Sequence, residues 1–219
     1  GVRLVPSPGF AGVWVAAAAA SGTLIGATNY LALYFMNTLG CNAFETWLRA
    51  GPLTLATIAG APLGILVGKR LPSVVTIPGG VALVAAGLWA ATGAHAGTVW
   101  THFIFGSALA GLGLGALSAV TSDAALQFVP LDDAGMATGS VSTGRQIGIL
   151  LGVAGMGVAF GHAAAGQSGV RAAGAAAINS VLAWGALAAA CAAFVSLILL
   201  SVATMSRSHD PATGESLAI

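Results

Sequence analysis

Ionised residues divide this chain into long apolar intervals. With histidine set aside, nothing charged lies between Arg3 and Glu45, between Arg49 and Lys69, or between Arg70 and Asp123. The same holds from Arg145 to Arg171 and from Arg171 to Arg207. Each interval holds at least one run of about 20 apolar residues, the length that crosses about 30 Å of hydrocarbon, and the Arg70–Asp123 interval holds two. The runs are continuous rather than alternating, which predicts helices and not barrel strands. Six spans follow, at about Val13–Met36, Thr46–Gly68, Val74–Thr92, Val99–Ser122, Ala134–Phe160 and Ile178–Thr204. The expected fold is an all-α integral membrane bundle of six transmembrane helices, with a lead-in over 1–12 and a polar tail over 205–219.

Local signals punctuate the spans. Asn42 followed by Glu45 has the form of a capping box at the start of the second span. Glu45 and Arg49 stand one helical turn apart in the order that favours pairing. Gly51-Pro52, Ala61-Pro62 and Pro78-Gly79-Gly80 mark expected breaks, which a membrane tolerates when neighbouring helices satisfy the freed backbone. The Ala/Gly-rich stretch from Gly161 to Ala176 reads as a connecting loop.

Composition agrees with the pattern. Seven Lys/Arg and six Asp/Glu make 6% charged residues against 57% hydrophobic, where a soluble domain carries about 25% charge. That excludes a water-soluble globule, and the apolar content excludes a disordered chain. A net charge of +1 supplies no basic field, so nucleic acid is not an expected partner; the lipid bilayer is. No metal-ligand spacing occurs and no cofactor is expected, and Cys41 and Cys191 are too differently placed to pair. Arg3, Lys69, Arg70 and Arg207 fall on one side and Arg49 and Arg171 on the other. This bias predicts a multi-pass protein of the plasma (cytoplasmic) membrane with both termini in the cytoplasm. The start at Gly1 is read as a cut or processed end.

Small residues and a few polar ones stand out against this background. Gly144, Gly148 and Gly152 repeat at four-residue spacing, as do Gly111 and Gly115, and Gly60, Gly64 and Gly68. Such stripes let membrane helices approach closely, and they also suit sliding surfaces. Arg145, beside Gln146, lies roughly 13 Å into the fifth span counted from Met136. A charge at that depth usually faces a bundle interior or a watery cavity, so its readings are a structural or gating charge, a substrate contact, or snorkelling to the surface. Asp123, Asp132 and Asp133 are the counter-charges within reach. Asn29, Tyr30, Tyr34 and Asn37, with Thr23, form a polar and aromatic stripe on the first span. They read either as a pathway wall or as interhelical hydrogen bonds with the tyrosines packed inside. Trp47 and Trp100 suit the interface, near His95 and His102. No carboxylate or histidine lies in mid-span, so no proton relay is legible.

Gly166-Gln167-Ser168-Gly169 resembles the serine motif of rhomboid proteases. Activating that serine needs a positioned base, and the only later histidine, His209, lies in the polar tail. No enzyme is expected.

The stretch from Ala124 to Ala154 carries the most specific pattern. Val129, Pro130, Asp132, Asp133, Ala134, Gly135, Gly139, Arg145, Gln146, Gly148 and Gly152 resemble the major facilitator superfamily, and more narrowly the fourteen-helix drug:proton antiporters near their penultimate helix. Leu33-Tyr34, Leu39-Gly40, Asn42, Leu48 and Pro52 follow the family's C-terminal half. Gly64 through Arg70, with Lys69, falls where a degenerate loop motif recurs, although Gly68 replaces its acid. Met36 and Trp47 depart from a usual Gln and Gly. The resemblance implies the C-terminal half of an efflux permease that exports small amphipathic molecules against protons by alternating access. Its implied partner is a missing N-terminal half or a second copy. The alternative is a non-transporting membrane module, truncated or dependent on a partner.

Overall fold

The computed structural model describes residues 8–126, 134–165 and 168–208, all of them helices and short turns with no strand. The elements are α1 (Pro8–Asn37), α2 (Ala43–Arg49), α3 (Gly51–Gly68), α4 (Ser73–Ala90), α5 (His102–Leu126), α6 (Ala134–Ala165) and α7 (Val170–Ser208). Six of these, all but α2, contain stretches long and apolar enough to cross a membrane.

The second expected span is two elements. Asn42 caps α2 with its side chain accepting from the Glu45 N–H at 2.8 Å, while Glu45 Oε2 accepts from the Asn42 N–H at 3.1 Å. The helix then stops at Ala50, and α3 restarts with Pro52 in its first turn, where the missing N–H costs nothing. Because Glu45 is committed to the cap, it does not pair with Arg49 as its spacing suggested. Arg49 turns instead toward Cys41 and lies over the Trp100 ring, 5.9 Å from the centroid.

Other boundaries also differ from the sequence reading. α1 begins at Pro8 rather than Val13, and Pro62 and Pro78 lie inside continuous helices. The stretch 161–176 is largely helical, since α6 runs to Ala165 and α7 starts at Val170. Alanine has the highest intrinsic helix propensity, and here it outweighs the glycines that suggested a loop. Cys41 and Cys191 are free thiols, one buried and one exposed.

α1 is the central helix. It packs along α6 on one side and α7 on another, α3 lies against α5, and α4 is held between α5 and α7. Glycine sets the closest of these approaches. On α6, Cβ atoms at Gly148 and Gly152 would fall onto the carbonyl oxygens of Ala18 and Gly22, and one at Gly144 would lie 2.5 Å from the Trp14 ring. Trp14 Nε1 closes that notch by donating to the Ser140 carbonyl at 3.1 Å. The α1 side matches, with Ala18, Gly22 and Gly26 at the same four-residue spacing. On α5, Gly111 meets Leu53 of α3 and Gly115 meets Thr57, while Gly60 and Gly64 of α3 meet Leu112 and Ala116.

One clamp ties α7 to the α4–α5 turn. Asn179 Oδ1 accepts from the Gly93 and Ala94 N–H groups at 3.0 and 2.9 Å, and its Nδ2 donates to the Ala94 carbonyl at 2.6 Å. Replacing Asn179 with Leu removes all three bonds. We expect a loss of about 2 kcal/mol in stability, read as a lowered unfolding midpoint in detergent.

The outer surface is apolar. Leu55, Ile58 and Leu66 of α3, Leu150, Leu151 and Val158 of α6, and Trp184 and Phe194 of α7 are all exposed. Faces of this size are not left to water in a stable protein; lipid or further helices are the environment that suits them.

Candidate functional site

A cleft of about 320 Å³ opens between α1, α3, α5 and α6. Its polar groups are Ser21 from α1, Thr57 from α3, Ser118 from α5, and Ser142, Arg145 and Gln146 from α6. Gly144 fixes this arrangement. It presses α6 onto Trp14, and the next position, about 100° further round the helix, directs Arg145 toward α5. There its Nη2 donates to Thr121 Oγ1 at 2.6 Å. Thr121 is fully buried, so the guanidinium turns inward and does not snorkel.

The arrangement is chemically one-sided. Arginine offers five N–H donors and no acceptor, and Thr121 satisfies one of them. Among the described residues no carboxylate pairs with Arg145. The Asp123 side chain, Asp132 and Asp133 lie outside the described part of the structure, together with Val129 and Pro130 of the family-like stretch. A half-buried guanidinium in a polar cleft can attract an anionic or strongly polarised group, or switch between hydrogen-bond partners as helices move.

The polar stripe expected on α1 is divided by the structure. Tyr30 donates to the Val153 carbonyl at 2.9 Å and its ring meets Phe160 at 5.3 Å, extending the α1–α6 seam over Gly157. Tyr34 is buried in an aromatic cluster with Phe35 and Phe103. Thr23 is buried and donates to the Ala19 carbonyl of its own helix. Only Asn29 and Asn37 are exposed. None of these residues lines the Arg145 cleft, whose α1 wall is Ala17, Ser21 and Ile25. Tyr30 thus makes a contact between helices and Tyr34 packs inside the bundle.

The residues of the loop motif separate similarly. Gly64 is buried inside α3 against Ala116, whereas Lys69 and Arg70 are exposed in the α3–α4 turn. Lys69 caps α3, where a cation suits the negative end of the helix dipole. In the rhomboid-like motif, Ser168 is exposed, and Gly166, Gln167 and His209 lie outside the described residues.

Sequence reasoning missed Thr121 as the partner of Arg145, Ser21 in the cleft, and the Asn179 clamp. Asn179 carried a usable signal, being an amide near the start of a long apolar helix. Thr121 carried none, since a threonine in a membrane helix ordinarily bonds its own backbone.

The chain matches no protein-family model. It is 30% identical over 136 residues to the tetracenomycin C resistance and export protein of Streptomyces glaucescens, a stretch that covers 62% of this chain. The same stretch is 25% of that relative's length, so the chain spans a minor part of the protein it resembles. Six helices long and apolar enough to cross a bilayer make this a multi-pass membrane protein, and the similarity to an export protein fits a membrane transporter.

Proposed function

We propose that this chain forms one six-helix half of a major facilitator efflux permease, the C-terminal half of a fourteen-helix drug:proton antiporter. It exports small amphipathic molecules by alternating access. The observation that supports this reading most is the cleft between α1, α3, α5 and α6, which carries a half-buried guanidinium on a helix packed by glycines. The similarity to a resistance and export protein supports the direction of transport. In this reading Arg145 and Gln146 form a gating charge, held by Thr121 in one state and released in another. The α1–α6 glycine seam is then both a packing surface and a surface along which the helices rearrange.

Ser21 and Ile25 line the cleft, and Asn29 stands beyond it on the same face of α1 at the same four-residue spacing. The other wall belongs to a second set of helices corresponding to the rest of the relative. Substrate pathways in such transporters form between repeats near the midplane. Proton coupling is assigned to carboxylates of that second set, because the sequence of this chain places no acid in the middle of an apolar run.

The test is accumulation of a fluorescent amphipathic drug in cells expressing the full-length protein, with and without a collapsed proton gradient. Lower accumulation that returns to the control level on collapse is expected. Equal accumulation in expressing and control cells overturns the reading and favours a module without transport.

A further inference from the structure

Further along α1 from the Arg145 cleft lies a second cavity, of about 50 Å³, whose walls come from α1 to α5 and α7. Most of the wall is apolar, including Leu31, Phe35 and Leu88. The polar side chains are Thr28, whose hydroxyl donates to the Leu24 carbonyl of its own helix, Ser107 of α5, and Thr46 and Arg49 of α2. Thr46 is 7% exposed, and its hydroxyl is buried without a hydrogen-bond partner in the protein. It is the only such side-chain atom among the described residues. Arg49, one turn further along α2, lines the same cavity. Among the described residues its N–H groups find the thiol of Cys41 alone, a weak acceptor, and its flat face lies over Trp100. Glu45, the nearest acid in sequence, is occupied by the cap of α2.

An orphaned hydroxyl and a guanidinium that no carboxylate of the described residues pairs thus face one small space. A buried polar group without a partner costs about 1–3 kcal/mol, and the half-buried guanidinium beside it adds a positive charge. Both groups can donate, so the occupant that satisfies them is an acceptor, and the positive charge favours an anionic one. A single water needs at least about 10–15 Å³ of such space, so the volume admits a few heavy atoms and not a drug-sized molecule. The apolar remainder of the wall suits a short hydrocarbon tail.

We propose that this cavity is a binding site for a small monovalent anion, either a halide or the carboxylate of a short organic acid, held by Arg49 and the Thr46 hydroxyl. The site is separate from the Arg145 cleft and does not depend on the transport reading.

The experiment uses the 219-residue chain in zwitterionic nanodiscs at constant ionic strength, titrated separately with bromide and with propionate. Bromide quenches tryptophan, and Trp100 adjoins Arg49. A saturable component of quenching is expected in the wild type, lost in Trp100→Phe and in Arg49→Gln, and shifted at least tenfold to higher bromide in Thr46→Val. A saturable rise in unfolding midpoint with the bound anion should follow the same pattern. Displacement of bromide by propionate assigns a carboxylate site; bromide saturation without displacement assigns a halide site. If Arg49→Gln does not fold, the near-isosteric Thr46→Val decides. The proposal is overturned if neither anion gives a saturable effect, or if the effect persists unchanged in Thr46→Val.

Discussion

Replacing Gly148 with Val is expected to unfold or splay the α1–α6 pair, at a cost of about 3 kcal/mol or more, the upper end of overpacking penalties. The reason is geometric. A Cβ at Gly148 falls onto the Ala18 carbonyl, and backbone cannot rotate away as a flexible side chain can. The helices must separate, which exposes the partners of Gly22, Gly26 and Gly152 together. Tyr30 then loses its bond to Val153, and Trp14 its bond to Ser140. Gly155, on the same helix, has nothing within 4 Å of its Cβ position. Gly155→Ala is therefore the control, expected to leave stability unchanged or raise it by up to about 1 kcal/mol. Thermal unfolding in detergent, followed by size-exclusion monodispersity, reads both. Equal midpoints for Gly148→Val and wild type would show that the seam does not hold the helices together.

Replacing Arg145 with Gln is the second large effect, and it falls on transport. The bond from Arg145 to Thr121 is charge-assisted, a class contributing about 1.5–3 kcal/mol, which corresponds to a factor of roughly 10–150 in an equilibrium. If that bond holds one state of an alternating-access cycle, export by the full-length protein should fall at least tenfold while expression and unfolding midpoint stay near wild type. Arg145→Lys keeps the charge without the planar fork and should retain intermediate activity. Thr121→Val removes the acceptor and keeps the shape, so its defect should be similar in kind and smaller. Normal export by Arg145→Gln defeats the gating role. A parallel loss of folded protein makes the residue structural instead.

How much of this was legible can be followed residue by residue. The Asn42–Glu45 box reads directly because it is local, with both hydrogen bonds spanning three residues. The spacing of Gly144, Gly148 and Gly152 reads equally well, since a four-residue repeat places them on one face of any helix. Their partners do not, because Trp14, Ala18 and Gly22 lie more than a hundred residues earlier in the chain. Nor could the sequence rank the two readings of Tyr30 and Tyr34. An aromatic residue with a hydroxyl suits a pathway wall and a packed interior equally. Glu45 and Arg49 show the converse failure, where a favourable spacing was present and a competing local bond took the carboxylate.

What the sequence by itself determined is the class of the protein: helices, six of them long enough for a bilayer, with charge confined mainly to their ends. Apolar length and the cost of burying charge decide that locally, before any helix meets another. What only the tertiary structure decided is which way each helix faces. Helices that are apolar on all sides carry no amphipathic stripe to orient them, so the inward face is set by which glycines admit which neighbours. That choice placed Arg145 against Thr121, buried Tyr34, tied Asn179 to the α4–α5 turn, and left Thr46 and Arg49 facing the same small cavity.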